Sequence, residues 1–181
     1  MAVALSAVGM LALASSATAN TGGAAPPGGT TPPPTTATGP PGKATLLADG
    51  SALAPVGAPA QVINAIAAAN AIRLKPYVYG GGHRSFTSKG YDCSGAVSYV
   101  LHGAGLLPSP LPSGPFMKWG APGYGTWIST LANRGHMYAV IAGLRWDTSA
   151  VGEKLNAGSG PRWRATRRPA KGYVARHYPG L

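Results

Sequence analysis

A break in composition near residue 60 decides how much of this chain can fold. Residues 20–60 are built mainly from Pro, Gly, Thr and Ala, as in Pro32-Pro33-Pro34-Thr35-Thr36. Such a stretch buries too little apolar surface to offset chain entropy, and it reads as an extended, disordered spacer. Of 181 residues, roughly 120 remain for a single domain over 61–181, enough for an adequate core without disulfides or a structural metal. A monomer is expected. Ahead of the spacer, 1–19 runs MAVALSAVGMLALASSATA and closes on Ala17-Thr18-Ala19. That is the pattern of an export signal with an A-x-A cleavage site, too short to serve as a stable membrane span.

Within 61–181 the hydrophobic spacing sets the fold class. Val62, Ala65, Ile66, Ala69 and Ile72 share one helical face, which predicts a helix over 61–74. The glycines of 75–83, KPYVYGGGH, permit tight turns and close approach of backbone to a ligand. A second helix is expected after Tyr91-Asp92-Cys93-Ser94-Gly95, with Ala96, Val97, Val100, Leu101 and Ala104 on one face and Asp92 or Cys93 at its N-terminus. Residues 108–135 are rich in Pro and Gly around Trp119, Tyr124 and Trp127, and read as a long irregular connection. Two strands, 136–141 and 144–148, are predicted around Ala142-Gly143, and 173–177 supplies a third. The pattern is α+β, with helices first and a small antiparallel sheet after them.

Cysteine occurs once, at Cys93. An intramolecular disulfide and a paired-cysteine zinc site are therefore excluded. A lone thiol is commonly a small buried hydrophobe. The alternative is a nucleophile, because a helix N-terminus favours thiolate through its unpaired N–H groups and its dipole. The same N–H groups can hold the oxyanion formed when a thiolate attacks a carbonyl. A base is then needed, and the histidines are His83, His102, His136 and His177.

Strand alternation separates these four. If Ala142-Gly143 is a two-residue turn, Ile141 faces Leu144 and Tyr138 faces Asp147, which puts His136, Tyr138, Arg145 and Asp147 on one face. His136 and Asp147 are then diagonal neighbours about 7 Å apart at the backbone, within side-chain reach. An acid so placed holds the imidazole in one tautomer, the third role in a Cys-His-acid triad. A turn one residue longer would move Asp147 to the other face. His83 lines the cleft as a substrate contact at best, His102 lies far along the second helix, and His177 has no evident acidic partner. No metal and no cofactor are expected, since none of these histidines clusters with the scarce carboxylates.

Fifteen Lys and Arg stand against four acids, a formal net charge of +11. An anionic partner follows: nucleic acid, an anionic membrane or an acidic polymer. No zinc finger, basic heptad helix or aromatic-basic repeat is present, so nucleic acid is set aside and general adhesion to a polyanion is expected. Arg162, Arg164, Arg167 and Arg168, with Lys171 behind them, form either a binding patch or a solvated loop.

Three segments carry a family resemblance: Pro76-Tyr77-Val78-Tyr79-Gly80-Gly81, then Tyr91-Asp92-Cys93-Ser94-Gly95, then Gly135-His136 leading a strand. Over about 61–150 the chain resembles the NlpC family of papain-like cell-wall peptidases. The resemblance implies a papain-like α+β fold and hydrolysis of peptidoglycan stem peptides by a protein that is secreted or associated with the cell wall. By matching positions it implies Cys93 as nucleophile, His136 as base and Tyr77 as a hydroxyl beside the thiol; Asp92, Ser94 and His83 complete the expected substrate and oxyanion region. In that family the third polar residue is commonly a histidine about a dozen positions after the base, whereas Asp147 stands here. A non-catalytic wall-binding module of the same fold, or an amidase or acyltransferase, are the competing readings.

Overall fold

In the computed structural model, which describes residues 42–152 and 158–181, the elements run β1 (Thr45–Leu46), β2 (Ala52–Leu53), α1 (Ala60–Ile72), α2 (Cys93–Gly103), α3 (Ser113–Phe116), β3 (Ala121–Pro122), β4 (Ile128–Ala132), β5 (Met137–Ile141), β6 (Leu144–Asp147), β7 (Arg162–Arg164) and β8 (Val174–His177). The expected export signal and the first part of the spacer lie outside the described residues.

Both helices bury the faces that their spacing selects. Val62, Ala65, Ile66, Ala69 and Ile72 are buried on α1, and Ala96, Val97, Val100 and Leu101 on α2. Packing them together is the main source of helix stability here, since helices this short are marginal alone. Six antiparallel strands follow in the order β3-β8-β4-β5-β6-β7. Met137, Ala139 and Ile141 of β5 and Trp146 of β6 join the helices in one buried core. Trp146 donates its indole N–H to the Ala96 carbonyl at 3.4 Å, and its ring lies 5.1 Å from that of Trp163. Trp163 in turn donates to Asn70 Oδ1 of α1 at 2.9 Å. Two tryptophans thereby fix the sheet against both helices, each with its polar edge satisfied. The fold is α+β, with the helices before the six-stranded sheet as the spacing predicts, and with a two-stranded β1–β2 sheet ahead of them.

The turn between β5 and β6 has the expected length. Ala142 and Gly143 both take positive φ, 44° and 81°, the pairing that a type I′ two-residue hairpin requires. The register is Ile141↔Leu144, Val140↔Arg145 and Ala139↔Trp146.

Two expectations fail. Residues 42–60, assigned to the spacer, are part of the domain: Ala52 and Ala54 are buried, Ala44 donates to the Ala142 carbonyl at 2.8 Å, and the Asn70 amide pairs with both backbone groups of Ala52. Asp49 also pairs with Arg73 at 3.2 Å. These are mostly backbone and small-residue contacts, which leave no apolar periodicity in the sequence. Residues 108–135 are likewise more than an irregular connection. They contain α3, β3 and β4, and β4 lies inside the sheet between β8 and β5. Ile128 to Ala132 is buried at every position, so the strand shows no polar-apolar alternation.

Candidate active site

The first turn of α2 is built around Asp92. Its backbone is extended (φ −86°, ψ −172°) and its carboxylate accepts from Gly95 N–H at 2.8 Å, which makes it the N-cap. Gly80 N–H and Ser94 Oγ–H donate to the same carboxylate at 3.1 and 3.2 Å. The first helical bond runs from Ala96 N–H to the Asp92 carbonyl. With Gly95 N–H taken by the cap, the amides of Cys93 and Ser94 have no intrahelical partner and remain as donors at this helix end. Cys93, the first residue of the helix, is buried at 9% exposure and belongs to the core that the helices share with the sheet.

The glycine-rich segment packs directly on this turn. Tyr77 and Tyr91 form a parallel bridge, Val78 N–H bonds the Tyr91 carbonyl and Asp92 N–H bonds the Gly81 carbonyl. A Cβ on Gly95 would fall on the Gly81 carbonyl oxygen, so only glycine fits there. This contact sets Tyr77 within electrostatic reach of Cys93 and Asp92. Partial burial raises its phenol pKa first, and the negative charges of Cys93 and Asp92 add to the rise.

His136 immediately precedes β5, held by its N–H to Asn133 Oδ1 at 2.8 Å. Its Nε2 lies 2.9 Å from Asp147 Oδ1. The Cys93 side chain is close enough to interact with the ring and favour its charged form, and with Nε2 held by Asp147 the nitrogen left for the thiol is Nδ1. Burial of the ring opposes its charged form, but the bonds and charges of Asp147 and then Cys93 outweigh that and raise the pKa to about 9. The imidazole is therefore charged at neutral pH, with the Asp147 carboxylate against its Nε2.

Asp147 has 0% side-chain exposure. It also accepts from Ser149 N–H at 2.9 Å and Arg168 Nη1 at 3.2 Å, with Arg145 Nε at 3.5 Å. A buried carboxylate is tolerated only when its charge is compensated in this way.

The remaining predicted residues fall as follows. His83 Nε2 lies 3.0 Å from Asp92 Oδ1 and 2.9 Å from Ser94 Oγ. One ring nitrogen meets both, so these three do not form a relay in which an acid holds one nitrogen while the other takes a hydroxyl proton. His83 instead ties the glycine-rich loop to the helix cap. The Ser94 side chain is buried, leaving only its amide for a substrate. His102 bonds the Leu107 carbonyl and stacks on Phe86, and His177 bonds the Gly123 carbonyl, both away from the thiol. Among the described residues no three His, Cys, Asp or Glu side chains converge as metal ligands, and no helix is long and apolar enough to cross a membrane.

The basic cluster is neither wholly a solvated loop nor an open patch. Arg162 donates to the Arg73 carbonyl and Arg164 to the Gly158 carbonyl, and Arg168 reaches Asp147. Arg168, Arg145 and Tyr173 are site residues that sequence reasoning did not assign to the site. Arg145 alone carried a signal, since alternation places it on the Asp147 face. A cavity of about 230 Å³, lined by Tyr138, Val140, Arg145, Arg164 and Arg168 among others, lies behind Asp147 on the sheet face turned from α2. Cys93 does not line it.

The raised His136 pKa makes a stability prediction. A group whose pKa rises on folding stabilises fully below its unfolded value, near 6.5, and that contribution is lost as pH climbs through about 9. Discounted for the ring's residual exposure, the loss is about 2 kcal/mol. Urea unfolding from about pH 6 to about pH 10 should show the wild-type advantage over His136→Gln shrinking by that amount. A constant gap would refute the raised pKa.

No protein-family model and no curated protein matches this chain. Among solved structures it is similar to the hypothetical invasion protein of Mycobacterium tuberculosis, at 22% identity and a TM-score of 0.45, over 64% of this chain and 61% of that one.

Proposed function

We propose that this protein is a cysteine peptidase that hydrolyses stem peptides of peptidoglycan, acting outside the cell or in the wall. The observation that carries this reading is the alignment of a buried acid, an imidazole and a thiol: Asp147 bonds His136 at 2.9 Å, and His136 interacts with Cys93 at the head of α2. Such an alignment supplies each part that thiol acyl transfer needs. The Cys93 sulfur attacks the amide carbon, and the amides of Cys93 and Ser94 face the developing oxyanion. The His136 imidazolium then gives its proton to the leaving amine, and water assisted by the neutral imidazole releases the acyl group from sulfur. Asp147 holds Nε2, so that Nδ1 is the nitrogen left to serve the sulfur.

The choice of substrate rests on the NlpC-like segments around Tyr77, Cys93 and His136. The net charge of +11 supports adhesion to anionic wall polymers alongside. Mass spectrometry of soluble muropeptides after incubation with the protein tests the reading. Expected products carry a new amine and a new carboxyl at a stem-peptide bond, and prior alkylation of Cys93 with iodoacetamide abolishes them. Intact muropeptides would rule out this substrate class.

A further inference from the structure

Asp147 does not face His136 as a lone carboxylate. The charged or titratable groups that meet this pair among the described residues are Cys93 from α2, Tyr138 from β5, Arg145 from β6, and Arg168 and Tyr173 from the segment leading into β8. Arg168 is the most closely fixed of them. Its Nη1 lies 3.2 Å from Asp147 Oδ2, and its guanidinium carbon sits 5.7 and 5.4 Å from the ring centres of Tyr138 and Tyr173. The Tyr138 hydroxyl donates to the Arg168 carbonyl at 3.4 Å. Tyr173 turns its ring edge-on to His136 at 6.4 Å, so one cluster of Tyr138, Arg168 and Tyr173 surrounds both members of the pair.

We propose that Arg168 is a positioning residue of the dyad: it holds the second oxygen of Asp147 and balances its charge, so that the acid orients the His136 ring without retaining its proton. The purpose of this device rests on the peptidase reading; its electrostatics do not. An imidazolium that must protonate a leaving amine becomes a poorer acid as its charge is further stabilised. An uncompensated carboxylate at 2.9 Å does that stabilising, and a guanidinium on the far oxygen offsets it. Arg168 also repels the imidazolium directly, and both effects have the same sign. Asp147 keeps its bonds to Ser149 N–H and His136 and its ion pair with Arg145 when Arg168 is changed, so the carboxylate stays in place and loses the nearer of its two guanidinium partners.

Titration of the His136 ring by NMR in the whole chain, assigned with His136→Gln, reads this without any substrate. Arg168→Gln is expected to raise the His136 midpoint by about one pH unit, while Arg168→Lys, which restores the charge, leaves it within a few tenths. Arg168→Met keeps the apolar stem between the two tyrosines and carries the same expectation should the glutamine variant not fold. A midpoint that stays put or falls in the charge-removing variants overturns the proposal; a fall is what a merely structural arginine would give, as Asp147 drifted from the ring. Muropeptide cleavage by the wild type separates the two claims. A shifted titration with no cleavage sinks the peptidase reading alone, and cleavage with no shift sinks the role of Arg168 alone.

Discussion

Replacing Cys93 with alanine is expected to lower muropeptide cleavage by roughly 10⁴-fold or more while leaving the thermal unfolding midpoint nearly unchanged. The size of the loss follows from the roles assigned around it. Without the sulfur no acyl intermediate forms, and His136 and Asp147 have no nucleophile to serve. Stability falls only slightly because the side chain, though part of the buried core, is small and loses a single heavy atom at the first turn of α2. The His136 pKa should move too, downward, because the Cys93 sulfur is one of the groups that raise it. Release of stem-peptide fragments at the wild-type rate by Cys93→Ala would place the chemistry elsewhere.

Gly95→Ala should cost about 3 kcal/mol of stability and lower activity by on the order of 10²-fold. The added methyl meets the Gly81 carbonyl, a backbone atom that cannot swing aside, and Gly81 is itself crowded by the Gly90 carbonyl. Relief requires the 80–82 loop to lift from α2. That motion breaks the bond from Asp92 N–H to the Gly81 carbonyl and the bond from Gly80 N–H to the Asp92 carboxylate, and carries Tyr77 away from the thiol. Urea unfolding together with kcat/KM separates the two effects. An alanine variant as stable and as active as the wild type would mean that the loop packs less tightly than described.

What could be read in advance divides along physical lines. The helix faces at Val62 to Ile72 and Ala96 to Leu101 were legible because burial on one side only imprints a 3.6-residue period. The closeness of His136 and Asp147 was legible for a narrower reason: Ala142-Gly143 forms a two-residue turn, and that fixes every pairing beyond it. β4 left no such trace, because Ile128 to Ala132 is covered on both faces. The attachment of 42–60 was hidden because backbone bonds such as Ala44 to Ala142 are indifferent to side-chain identity. Arg168 lies 21 positions after Asp147, beyond the reach of any local pattern; only the return of the chain between β7 and β8 brings it to the acid.

The bond from Ala44 to the Ala142 carbonyl has a practical consequence for anyone trimming this protein. A chain cut at residue 60, where the composition changes, would discard the segment that braces the Ala142-Gly143 corner. That corner acts as the spacer bar between imidazole and carboxylate, so the shortest unit worth expressing begins near residue 42, inside what looks like tail.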